Sequence, residues 1–259
     1  MHIKHKFFFC LLLPLLVIFS GCSTNFKYPT NRFSTPENRE GGNISTEVIW
    51  TGAWKTRLTD DLSVEVLRPY TSNTEPSSTI EWLSTFAFFD LFNLEIDYIH
   101  DGPMMFMGKL QFLGDPAPAG AGNFSMAARM GWGHAIAGEE VPKEDIHTGV
   151  KQQKVYTKTG TWMNYELLLG IRLWNPFLLY AGGFYNTFSV KLMTDKGTTE
   201  QMIDGGGVQF GGHVGFELTF AFLSWKTNVS WSKISDDRDG IYENPREDLF
   251  YGTSLAFNF

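Results

Sequence analysis

The sequence predicts an all-β chain, a transmembrane antiparallel up-and-down β-barrel of twelve strands with ten as the alternative. Three observations predict it. First, apolar and polar residues alternate over runs of 10–15 residues, and period two places successive side chains on opposite faces of a strand. Soluble strands usually run ~5–6 residues, whereas a tilted strand crossing a bilayer needs ~9–11. Second, connections at 59–61, 90–93, 174–176 and 223–224 are short, and those at 135–158, 194–206 and 236–247 are long. Tight turns at one rim and long loops at the other are the habit of membrane barrels. Third, the polar faces carry Glu, Asp, Arg and Lys, which a dry soluble core would not accept unpaired.

Composition points the same way. Aromatics make up 15% of the 259 residues and Gly numbers 26, which suits many strands, tight turns and an aromatic girdle. A hydrophobic fraction of 43% is too low for a bundle of membrane helices, and no apolar run of 18 follows the first 20 residues. The net charge of −7 comes without basic clusters, so nucleic acid is not an expected partner.

The elements follow in order. Residues 1–21 read as a secretory signal peptide: Lys4 and Lys6 form its basic region, and residues 7–19 an apolar core of ~13 residues, short for a membrane span. Cys10 lies in that leader, leaving Cys22 as the single cysteine of the mature chain, so a disulfide within a monomer is excluded. Residues 22–43 are polar, with Pro29, Pro36 and Gly41-Gly42, and read as a tether or a weak first strand. Residues 44–259 are the expected barrel. Strands are expected at 45–58, 62–70, 80–89, 94–100, 104–113, 124–134, 159–173, 177–193, 208–222, 225–234 and 248–259. The cleanest is 208–222, where Val208, Phe210, Val214, Phe216, Leu218, Phe220 and Phe222 stand against Gln209, His213, Glu217 and Thr219. In 177–193, Phe184, Phe188, Val190 and Leu192 are assigned outward and Tyr185, Thr187, Ser189 and Lys191 inward.

These candidates number eleven, and a single-chain bacterial barrel has an even number. A further strand at 25–40 gives twelve; fusing 93–113 into one strand gives ten. Twelve is favoured because the stretches around 57–62 and 88–91 look like tight turns.

The last residues, DLFYGTSLAFNF, carry Phe250, Gly252, Leu255 and Phe257 and end on Phe259. This stretch resembles the closing strand of bacterial outer-membrane β-barrels. The resemblance implies that these residues are the signal read by the barrel-assembly machinery. Phe19-Ser20-Gly21-Cys22 is similar to the lipobox of bacterial lipoproteins, with Phe19 in place of the usual Leu. That resemblance implies an acylated Cys22, and Ser23 after it implies sorting to the outer membrane of a Gram-negative cell.

The charges assigned to the lumen are Glu95, Asp97, Lys109, Arg129, Glu166, Arg172, Lys191, Glu217 and Lys226, four acids against five bases, with His213 beside them. Such a set either braces the lumen as ion pairs or lines a selective path for small polar solutes. Long charged side chains among small inner residues are expected to narrow the bore without sealing it, giving a small, weakly selective conductance. His213 has no Ser or Asp at the spacings used by barrel hydrolases and proteases, and His134, after Trp132-Gly133 near a strand end, suits the interfacial band. No His/Cys/Asp cluster has metal-ligand spacing. The expected function is therefore a narrow passive channel or a structural surface protein, with no enzyme activity, metal or cofactor; a barrel enzyme acting on lipid or peptide and a soluble lipoprotein binding module are the alternatives.

Overall fold

Every strand pairing is antiparallel, as tight turns between consecutive strands require. The computed structural model describes residues 25–30, 32–59, 71–144, 151–195, 200–238, 241–242 and 245–259. Its strands are β1 (Asn25–Pro29), β2 (Ile44–Thr59), β3 (Thr71–Phe89), β4 (Phe92–Ile99), β5 (Met104–Leu113), β6 (Phe124–Glu144), β7 (Lys151–Trp174), β8 (Phe177–Asp195), β9 (Glu200–Phe220), β10 (Leu223–Arg238), β11 (Ile241–Tyr242) and β12 (Arg246–Asn258). β2 pairs with β3 on one side and with β12 on the other, so β2 to β10 and β12 close into a barrel of ten strands. Among the described residues two strands stand outside that closed ring: β11 pairs with β10, and β1 with β2.

Ten is reached by a different route from the one considered above. Residues 93–113 are two strands, β4 and β5, and the turn between them places Asp101 at a φ of 60°. The stretch expected to supply a twelfth strand contributes only β1, which is not part of the wall. The strand expected at 62–70 lies outside the described residues. Residues 71–79, which fall between the strands expected at 62–70 and 80–89, are the first nine of β3 and pair with 59–51 of β2. β2 and β3 are therefore still paired at Thr59 and Thr71, on the long-loop side, and the turn expected at 59–61 runs outside the described residues. The reason is physical: Thr71, Ser72, Asn73, Thr74 and Glu75 show no apolar alternation, and backbone pairing alone makes them strand.

The same holds for the long loops. β6, β7 and β9 run 21, 24 and 21 residues, well past the ~9–11 that cross a bilayer, so most of the polar stretches at 135–158 and 194–206 are wall. Large exposed apolar side chains form a belt on the other half of the barrel. Phe89, Trp174, Phe222 and Phe259 lie at its short-turn edge, and Trp50, Trp132, Tyr165, Tyr185 and Trp231 at its upper edge. On β7 the belt runs from Tyr165 to Trp174, a length that fits the hydrocarbon core.

Leu255 sits in this belt, 39% exposed and opposite Val48 of β2 at the closing seam. Leu255→Lys is expected to reduce the folded fraction, because a Lys facing hydrocarbon costs ~2–4 kcal/mol near the midplane. Heat-dependent gel mobility measures it; equal folded fractions in wild type and variant would place this face out of lipid.

Candidate functional site

The bore of the barrel is occupied by the chain's own amino-terminal segment. Tyr28, Thr30 and residues 32–38 are buried, although they belong to no wall strand. Their neighbours come from all round the wall. Near the long-loop rim Tyr28 packs on Phe188, with ring centroids 4.6 Å apart, and on Trp162 at 5.9 Å. These rings belong to an apolar cluster with Trp54, Ile99, Met105, Met107, Ile234 and Phe250. Lower down, the Arg32 guanidinium lies 4.8 Å above the Phe184 ring, a cation–π contact. Phe33 packs with Ile49 and Leu83.

The wall holds much of this segment by its main chain. Lys226 Nζ donates to Phe33 O (2.9 Å), Lys109 Nζ to Thr35 O (3.0 Å), and Asn228 Nδ2 to Arg32 O. Thr30 N–H donates to Gly52 O at 3.1 Å, and Asn38 N–H to Gln111 Oε1. Pro29 and Pro36 suit such a path, since an extended strand inside a bore has no ladder partner for every N–H. Near the short-turn rim Glu37 receives Arg172 Nε (3.1 Å) and Nη2 (2.5 Å) and Asn123 Nδ2 (3.0 Å). Glycines make the room. A Cβ on Gly170 would stand 2.5 Å from Pro36 Cγ, and one on Gly252 2.7 Å from the Phe33 ring.

A chain of ion pairs runs round the segment. Arg129 bridges Glu95 (2.5 Å) and Glu166 (3.0 Å), Lys109 stands 3.4 Å from Glu95, and Ser34 Oγ donates to Glu95 at 3.1 Å. His213 Nε2 lies 3.2 Å from Glu166, an ion pair when the imidazole is protonated. Lys226 pairs with Glu47 at 2.7 Å, and Ser254 donates to the same carboxylate. Glu95, Asp97, Lys109, Arg129, Glu166, Arg172, His213, Glu217 and Lys226 are all buried and turned inward. Glu47, Glu81 and the segment's own Arg32 and Glu37 join them; sequence reasoning did not single these out.

Lys191 is a correction. It is exposed, and the two faces of β8 are the reverse of those assigned from sequence: Tyr180, Phe184 and Phe188 are buried inside, while Tyr185 is exposed. Hydrophobicity misassigned the faces because Phe184 and Phe188 have the segment to pack on, so an apolar inner face stays dry. A second correction concerns the bore, which is filled through these layers instead of narrowed. A polar cavity of about 20 Å³, lined by Ser34, Glu37, Glu47, Glu95, Lys109 and Lys226 among others, has room for a water or two.

The closing-strand residues divide between the faces. Leu255 and Phe259 are exposed in the belt; Phe250 is buried edge-on to Trp54, and Gly252 lies under Phe33. Cys22 lies outside the described residues. His100 is 3.7 Å from Asp101 in the β4–β5 turn, and His134 stacks on Trp132 on β6.

No family model matches the chain, and no curated protein is similar to it in sequence. Solved structures are similar to it, among them the following three. Neisserial surface protein A shares 8% identity at a TM-score of 0.34, over 84% of this chain and 99% of that one. The N-terminal β-barrel domain of Pseudomonas aeruginosa OprF shares 8% at 0.30, over 85% and 100%. The outer membrane protease OmpT from Escherichia coli shares 7% at 0.36, over 84% and 94%. The barrel itself rests on the strand pairing described above.

Proposed function

We propose that this chain is an outer-membrane β-barrel of a Gram-negative bacterium, closed by its own amino-terminal segment, and a structural, surface-facing component of that membrane. The observation that carries the reading is the filled bore, pinned near the short-turn rim by Glu37 on Arg172 and above by Tyr28 on Phe188. Small polar solutes would pass only where the segment gave way, so a passive channel is the poorer description of the closed chain. His213 lies buried among Glu166, Asn228, Tyr180 and its cross-strand neighbour Ser230, a setting closed to substrate, which favours a role without catalysis. The partners are outer-membrane lipids around the belt and the barrel-assembly machinery that reads the closing strand; neither nucleic acid nor a cofactor is part of the reading. In planar bilayers the folded protein should be electrically silent. A steady conductance from the intact chain would overturn closure.

The reading includes a lipid anchor on Cys22, carried by the Ser20-Gly21-Cys22 sequence. Metabolic labelling with a palmitate analogue should tag the wild type and not Cys22→Ala. Because the apolar belt inserts by itself, the variant should still reach the membrane. Label that persists in the variant removes the anchor from the account.

A further inference from the structure

The lumen segment has a direction, and it runs opposite to the one a periplasmic anchor needs. Ile44, where β2 begins, exchanges backbone hydrogen bonds with Phe259 (3.2 and 2.8 Å), and Gly41 N–H donates to Asp90 Oδ1 at 2.8 Å in the β3–β4 turn. All of these lie at the short-turn rim. Followed back toward its amino end, the segment climbs the bore. Glu37 meets Arg172 just above the β7–β8 turn, Arg32 lies over Phe184, and Tyr28 packs on Phe188 and Trp162. Lys27 reaches the other rim, where its N–H donates to Asp101 O (2.8 Å) and its ammonium stands 3.3 Å from the Asp101 carboxylate. Asn25 is opposite Arg57 in the upper part of β2.

We infer that the chain passes through its own barrel so that everything before Asn25 starts on the outer face, and the mature amino terminus is displayed at the cell surface. The inference rests on the membrane reading proposed above. Distances decide it. From Ile44 to Arg57 is thirteen steps along β2, or about 43 Å at about 3.3 Å per residue, and about 33 Å along the axis at a tilt of about 40°. That exceeds the ~30 Å hydrocarbon core. Cys22 is three residues from Asn25, and three extended residues span at most about 11 Å. Cys22 therefore cannot return to the short-turn face while β1 is paired. An acyl group on it has the outer leaflet as its partner, not the leaflet facing the periplasm.

The test places an epitope tag between Thr24 and Asn25, in a second chain at 145–150 beyond β6, and in a third in the turn at 90–91. Antibody labelling is compared on intact and permeabilised cells. The first two tags should label intact cells fully, and the third only permeabilised cells. If the tag at 24–25 needs permeabilisation while the one at 145–150 does not, the inference falls and the membrane reading stands. If the tag at 145–150 also needs it, the assumed orientation is what fails. A tag that drags the segment out of the bore would mimic success. The tagged chain is therefore also made with Pro36→Cys and Gly170→Cys, whose disulfide holds the segment against β7. Label on intact cells must persist in the oxidised, cross-linked fraction; its loss there overturns the threading.

Discussion

A chain lacking residues 25–40 is expected to conduct in planar bilayers where the intact chain is silent, and to prefer cations. The barrel should survive the deletion, because its closure is the β12–β2 ladder from Thr253 opposite Trp50 to Asn258 opposite Ser45, and β1 takes no part in that seam. The exposed belt is also untouched, so insertion has the same driving force. What changes is the bore. With the segment gone, the wall presents Glu47, Glu81, Glu95, Asp97, Glu166 and Glu217 against Lys109, Arg129, Arg172 and Lys226, a formal excess of two negative charges. The segment supplies Arg32 and Arg39 against a single Glu37 over 32–39, so its removal exposes the wall's imbalance. In a narrow bore with low-dielectric walls such an excess concentrates cations. Reversal potentials in a salt gradient give the sign, and heat-dependent mobility confirms that the deleted chain has folded. A folded deletion variant without conductance would mean that wall side chains collapse to fill the space, and that the segment is not what closes the barrel.

Alternation in sequence made the wall legible where one face meets lipid and the other meets charge. On β7, Tyr165, Leu167, Leu169 and Ile171 are exposed, while Glu166 and Arg172 are buried. It failed wherever that contrast is absent. Residues 71–75 and 136–144 show no apolar alternation in sequence, although the backbone pairs without a break. On β8 the contrast is present but inverted, since alternation defines two faces and leaves open which one is inside. Only the rings of Phe184 and Phe188, packed on Arg32 and Tyr28, decide it. The segment itself carries no periodic signal, because an extended chain held by its carbonyls can bear almost any side chains. Two hints were nonetheless in the sequence: an odd strand count, and glycines at 170 and 252 on faces otherwise occupied by Arg172 and Phe250. Glycine there is needed by Pro36 and Phe33, which would meet a Cβ within 2.5 and 2.7 Å.

Arg172→Ala should loosen the segment more than any other single substitution in the bore. Arg172 donates through Nε and Nη2 to Glu37 and through Nη1 to Asn175 O, and both partners of the ion pair are buried. Removing the guanidinium leaves the Glu37 carboxylate to accept from Asn123 Nδ2 at 3.0 Å. Breaking a buried pair from one side costs about 3–5 kcal/mol, because the remaining charge keeps its desolvation penalty. Here the chain has an escape that a closed core lacks: Glu37 regains water if the segment leaves the bore. The loss is therefore expected in the docking equilibrium of the segment, where about 3 kcal/mol is a shift of more than a hundredfold, and not in the barrel wall. The readouts are channel openings in planar bilayers and trypsin cleavage after Arg32 or Arg39, both rising above wild type while heat-dependent mobility is unchanged. Glu37→Gln should be milder, since it removes the charge that is stranded. Exchanging the partners, Glu37→Arg with Arg172→Glu, should restore silence and protease resistance, because the pair is re-formed at the same depth. Arg172→Ala as silent and as resistant as wild type would show that the aromatic contacts of Tyr28 and Phe33 hold the segment without the ion pair.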